Sequence, residues 1–227
     1  MRNVKTPPKQ LLLFPALFAI TYLLMNWKVV LEYIKTPFRA FKNASAKTGE
    51  AIGENAPFWS TIRNFKPREF DSRFQENTGL LMDQEFIRFL DRVRDYCGFA
   101  LHVSSGYRTK EHNSSIKNSH GQQYSARDSP HMYGIAADLT THDENKTAKL
   151  VNAIVQVRKN EFPNMKLGVG VYGSSSRPRG FFVHVDTRKH RPLEVDAFWT
   201  GNQYPKGGYR KLNKQQIERF KKLFYEK

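Results

Sequence analysis

The hydrophobic pattern changes period along this chain, and that change limits the possible folds more than any other feature. Asp83 to Cys97 (DQEFIRFLDRVRDYC) places Phe86, Phe89, Leu90, Val93 and Cys97 at helical spacing, with Asp83 as an N-cap and Gly98 just past the end. Leu101 to Ser105 then reads as a strand feeding a turn at Gly106. Asp143 to Lys159 returns to helical spacing, with Leu150, Val151, Ile154 and Val155 inward. Two strands follow, Leu167 to Tyr172 and Gly180 to Asp186, separated by the polar loop GSSSRPR. Helices and antiparallel strands in this order imply an α+β domain, a small antiparallel sheet flanked by helices.

The 227 residues leave room for one such domain and an appendage. With 39% hydrophobic and 13% aromatic residues against 26% charged, the chain has the composition of a globular protein. Its single cysteine, Cys97, excludes an internal disulfide framework and a cysteine-rich zinc site, so any metal must be held by histidine and carboxylate. At helical spacing Cys97 reads as a core residue and not a nucleophile.

The net charge of +16 is concentrated at the ends. Residues 1–60 carry eight Lys/Arg against three Glu, and residues 201–227 carry eight against two. Such flanks suit a polyanion or are simply solvated. No helix-turn-helix or RNA-binding motif is present, so no specific nucleic-acid partner is expected.

Leu11 to Met25 (LLLFPALFAITYLLM) is free of charge and follows Arg2, Lys5 and Lys9, which is a signal-like layout. It lacks a small-x-small cleavage site, and extension to Leu31 brings it to about 20 residues, the length of a membrane span. The expectation is an N-terminal hydrophobic helix in an anchor or signal segment, 1–42, with membrane contact through residues 11–31. Pro15 and the short uncharged run also fit a buried helix or a membrane-surface helix. Residues 43–63 read as a linker, 64–200 as the domain, and 201–227 as a basic extension whose helix (Ile217, Phe220, Leu223 and Phe224 on one face) packs on it. A monomer is expected.

Two segments carry the chemistry. In SPHMYGIAAD (Ser129 to Asp138), a strand from Ile135 puts Ala136 and Asp138 on one face, and His131 can fold back toward them from the Gly134 turn. In FFVHVD (Phe181 to Asp186), alternation puts His184 and Asp186 on one face and Val183 and Val185 on the other. His131, Asp138 and His184 are a donor set for a catalytic zinc, which takes three protein ligands and keeps one position for water. Hydrogen-bonded loop pairs would give the same spacing.

The motifs SSGYR (Ser104 to Arg108), S-x-H-x-x-G-x-A-x-D (Ser129 to Asp138) and FVHVD (Phe182 to Asp186), in that order, resemble the M15 family of zinc D-Ala-D-Ala carboxypeptidases and related endolysins. FKPREF (Phe65 to Phe70), the Gly79 to Gly98 segment and EHN (Glu111 to Asn113) extend the resemblance over about residues 64–200. It implies the fold shared with hedgehog signalling domains, zinc on His131, Asp138 and His184, and hydrolysis of peptidoglycan peptide as carboxypeptidase or endopeptidase. It further implies that Arg108 binds substrate and polarises the scissile carbonyl.

Ser129, Tyr133 and His112 are expected at the substrate. Several family members carry Glu or Asp three residues before the second histidine, where this chain has Phe181. Asp186 is the nearest carboxylate by sequence, expected as the general base or as support for His184. A non-catalytic, zinc-containing wall-binding module is the alternative that Phe181 favours. The expected location is a membrane-anchored domain facing the cell wall, or a phage-encoded protein acting on the host wall.

Overall fold

The computed structural model describes residues 57–225 except 118–119, 122, 124, 175–179, 191–194 and 205–207. The anchor expected in 1–42, with its hydrophobic helix, lies outside the described residues, as does most of the linker. Among the described residues no helix is long and apolar enough to cross a membrane.

Helix α1 (Gln84–Cys97) forms where the period of 3.6 placed it, and both ends are chemically fixed. The Asp83 carboxylate accepts the Phe86 N–H at 2.9 Å, and Gly98 ends the helix at φ +66°. Such an N-cap contributes about 1 kcal/mol. Phe86, Ile87, Phe89, Leu90 and Val93 are buried along one stripe, each worth roughly 1.5–3 kcal/mol on transfer from water. Strand β1 (His102–Ser105) and the short helix α2 (Lys110–Ser115) follow. Next come β2 (Ala136–Thr141), α3 (Glu144–Glu161), β3 (Gly168–Gly173), β4 (Phe181–Asp186), β5 (Ala197–Thr200) and α4 (Lys214–Tyr225).

The five strands lie in the order β1-β2-β4-β3-β5. The first four pair antiparallel, but β5 runs parallel to β3, so the sheet is mixed and not the antiparallel one expected. The cause is the connection. Chain leaving β4 turns back and lands beyond β3, and because β4 opposes β3, the returning strand must run with β3.

Odd-numbered residues of β2, β3 and β4 (Ala137, Leu139, Val169, Val171, Val183, Val185) are buried in the core on which α1 and α3 pack. Two stretches outside the 64–200 bounds join it. Phe58 and Trp59 fall within the expected linker, yet both are buried there, and residues 57–59 are helical. Two large aromatics have too much apolar surface for a solvated tether. Phe220 and Phe224 of α4 are also buried, so the basic extension packs against α3 and β5 as expected.

Candidate metal centre

The even-numbered residues of the same strands face the other way and form a site in register. Asp138 of β2 stands opposite His184 of β4, His184 opposite Gly170 of β3, and Gly170 opposite Trp199 of β5. One step along, Ala136, Asp186 and Gly168 form a second row. The small residues make room. A Cβ on Gly168 would run into the Asp186 carboxylate, and one on Gly170 into the Trp199 indole. On the outer side, a register shift in β1 between Val103 and Ser105 brings Ser105 opposite Asp138 just before the turn to Arg108.

His131 comes from outside the sheet, on a 3-10 turn, Pro130–Tyr133. Separate segments hold that turn. The Arg108 N–H donates to the His131 carbonyl at 3.1 Å, the Asp83 N–H to the Gly134 carbonyl at 2.9 Å, and the Thr187 N–H to the Ile135 carbonyl at 3.2 Å. Gly134 sits at φ +69°, where a Cβ would also strike the Leu81 carbonyl oxygen.

Each imidazole is anchored through its distal nitrogen. His131 Nδ1 lies 2.8 Å from the Gly106 carbonyl, which can only accept, so the proton of this ring is on Nδ1 and its Nε2 presents a lone pair. His184 Nε2 meets Asp186 Oδ2 at 3.2 Å, which turns His184 Nδ1 inward. His131 Nε2, His184 Nδ1 and Asp138 Oδ1 then converge. The two nitrogens are 3.2 Å apart, and they lie 3.4 and 2.9 Å from the oxygen.

Three lone pairs at such distances repel unless a cation lies among them. Donors about 2.1 Å from a tetrahedral zinc are separated by about 3.4 Å, so the residues present fit that ion. Arg108 takes the other oxygen of the same carboxylate, its Nη2 donating to Asp138 Oδ2 at 2.7 Å while Nε donates to Ser105 at 2.8 Å.

The electrostatics agree with this arrangement. Burial, with Arg108 nearby, pushes His131 down to about 4 despite the attraction of Asp138, so it is neutral as a ligand must be. Burial acts against the charged form of His184 as well, but hydrogen bonds with Asp138 and Asp186 win and raise it to about 9. Burial would raise Asp138, and His131, His184 and Arg108 together hold it well below the usual carboxylate range. In the metal-free protein a proton on His184 occupies the place of the cation.

A cleft of about 1110 Å³ opens on these donors. Arg108, His112 and Ser129, expected at the substrate, line it. Asp186 also borders it but is only 1% exposed in its side chain and sits across the His184 ring from Asp138. Tyr133 is not among the lining residues. It is 53% exposed, donates its hydroxyl to Asp128 and stacks on His190. Phe181, the position at which the resemblance implied a carboxylate, packs in the core against Phe220. Three residues from His184 along a regular strand is an odd step, so side chains at 181 and 184 point to opposite faces.

Sequence reasoning passed over the Gly106 carbonyl and the Trp199 and Tyr172 pair. Trp199 lies 5.5 Å from the His184 ring and donates its indole N–H to the Tyr172 hydroxyl. The signal was the GVG of β3, two glycines on one face of a strand, which mark a close approach.

A family model described as Peptidase M15 matches residues 63–186, more than half of the chain. No curated protein and no solved structure matches it.

Proposed function

The chain belongs to the M15 peptidase family, and from that premise we propose that it is a zinc metallopeptidase hydrolysing peptide bonds of bacterial peptidoglycan. The observation that carries this reading is the convergence of His131 Nε2, His184 Nδ1 and Asp138 Oδ1 at the floor of the cleft. In this reading those three residues hold the ion. When bound, zinc supplies Lewis acidity, drawing electron density from water and from a carbonyl oxygen so that hydrolysis proceeds near neutral pH.

The chain's own residues do the rest. Gly106 and Asp186 fix the two imidazoles, so the donors need no rearrangement on binding. Arg108, fastened to Asp138 and Ser105, keeps further guanidinium N–H groups at the cleft and holds the carbonyl oxygen as negative charge develops there. Asp186, behind His184, acts here by orienting that ring. Ser129 borders the peptide, and the hedgehog-like fold belongs to the same reading. Residues 11–31 would keep the domain at a membrane, facing the wall. Deleting residues 1–42 should then release the protein into the soluble fraction, and persistent sedimentation with membranes would overturn the anchor.

The test is digestion of purified peptidoglycan by the zinc-loaded chain, with released fragments read by mass spectrometry. Fragments are expected from the native sequence, and His131→Ala should lose both stoichiometric zinc and fragment release. Release persisting in that variant sinks the proposal. Because Asp186, the nearest carboxylate by sequence, is buried behind the His184 ring, a wall-binding zinc module is the second reading. Stoichiometric zinc with no cleavage would select it.

A further inference from the structure

Five aromatic side chains line the cleft beside the metal donors, and none of them belongs to the hydrophobic core: Tyr172, Phe182, Trp199, Tyr204 and Tyr209. They begin one row along the same sheet face. Phe182 of β4 stands opposite Tyr172 of β3, as His184 stands opposite Gly170, and two residues along a strand span about 7 Å. Trp199 joins the two rows. Its ring lies 5.5 Å from that of His184, and its indole N–H donates to the Tyr172 hydroxyl at 2.5 Å.

The rings hold one another. Tyr172 and Phe182 are parallel at 4.5 Å, Tyr209 leans on both at 4.8 and 5.7 Å, and Tyr204 stacks on Tyr172 at 6.3 Å. Gly201 makes room for the group, since a Cβ there would strike the Tyr172 ring. Core packing does not account for them, because Tyr204 is 49% exposed and the other four are partly exposed. Aromatic surface gathered in a cleft is what a ligand site presents. Its rim is polar: the Gln203 side-chain oxygen accepts the Thr200 N–H at 3.1 Å, and the amide nitrogen has no hydrogen-bond partner among the described residues.

Flat rings with a polar rim complement a ligand that has an apolar face and hydrogen-bonding edges. A pyranose sugar has that form, with C–H groups on its face and hydroxyl or acetamido groups around its edge. The alanine methyls of a wall peptide are too small to cover such a surface. We propose that these rings form a platform for a saccharide unit of the substrate, an N-acetylated amino sugar stacked on the tyrosines with Gln203 donating to its edge. This rests on the peptidase reading above and deepens it, because the substrate is then a sugar-bearing muropeptide and not free peptide. A stem of four residues reaches at most about 14 Å. Peptide can therefore lie at the metal donors while its own sugar lies on the platform.

The experiment titrates the full chain without metal and follows the Trp199 indole N–H by NMR. The probes are tri-N-acetylchitotriose, a disaccharide-tetrapeptide, and the same tetrapeptide without sugar. Chitotriose should shift that resonance, and the disaccharide should tighten tetrapeptide binding about tenfold, the scale of a ring-stacking contact. Tyr204→Ala, at the most exposed of the five, and Tyr209→Leu should each bring that ratio toward one, whereas Tyr204→Phe, which keeps the ring, should hold it. An indole resonance unmoved by chitotriose overturns the platform, and so does a ratio unchanged in both Tyr204→Ala and Tyr209→Leu. Hydrolysis with zinc separates the platform from the peptidase. Cleavage of both peptides without preference for the sugar removes the platform and leaves the peptidase. A sugar preference in binding with no cleavage removes the peptidase and leaves the platform.

Discussion

The two faces of one sheet do different work with adjacent residues. Odd positions of β2, β3 and β4 include Ala137, Leu139, Val169, Val171, Phe181, Val183 and Val185, and they share one core with α1 and α3. Even positions include Ala136, Asp138, Gly168, Gly170, His184 and Asp186, where space and charge replace apolar bulk. A strand's period of two thus separates stability from chemistry by one residue. Val183 and Val185 flank His184, and none of the three can exchange roles with its neighbour.

The comparison predicts effects that fall cleanly on one face or the other. Leu139→Ala, beside Asp138 but on the core face, should cost about 2–5 kcal/mol of stability, read by denaturant unfolding, with zinc affinity unchanged. A tenfold weaker zinc Kd in the folded variant would break the separation. Asp186→Asn should weaken zinc binding by about 10–100-fold, with turnover falling in parallel. Competition with a chelating dye measures this. Full zinc occupancy with turnover lost would instead make Asp186 the general base.

A third effect concerns pH. His184 is raised to about 9 against an ordinary 6.5, so the stability it adds to the metal-free protein is complete below pH 6.5 and lost as pH climbs toward 9. Zinc affinity should move oppositely over that window, because the ion displaces this proton. Calorimetry of the metal-free chain showing a flat Tm from pH 6.5 to 9 would contradict it.

Much of this was legible in the sequence, and the failures have physical causes. Helix α1 was readable because its periodicity and both caps agreed. FFVHVD was readable because alternation is local. The same alternation already placed Phe181 on the face away from His184, so the missing carboxylate there could not have reached the donors from a regular strand. Strand β5 was not readable. It is four residues long, and its pairing with β3 is set by contacts distant in sequence. The direction of Tyr133 was not readable, because proximity to His131 in sequence says nothing of direction around a 3-10 turn. Trp59 showed only aromatic bulk in a stretch otherwise polar and small.

The turn carrying His131 has a consequence for opening motions. Its carbonyls take N–H groups from Arg108, Asp83 and Thr187, which belong to the segment after β1, the start of α1 and the end of β4. No single loop can swing aside to expose this ligand, since three distant parts of the domain would have to let go together. The His131 corner should therefore open only in the deepest cooperative unit of the domain. Bound metal would then exchange through the open side of the cleft, with His131 held in place as a ligand. Slow amide exchange at Arg108, Asp83 and Thr187, matching that of α1, would mark that unit, and fast exchange there would show a separate door.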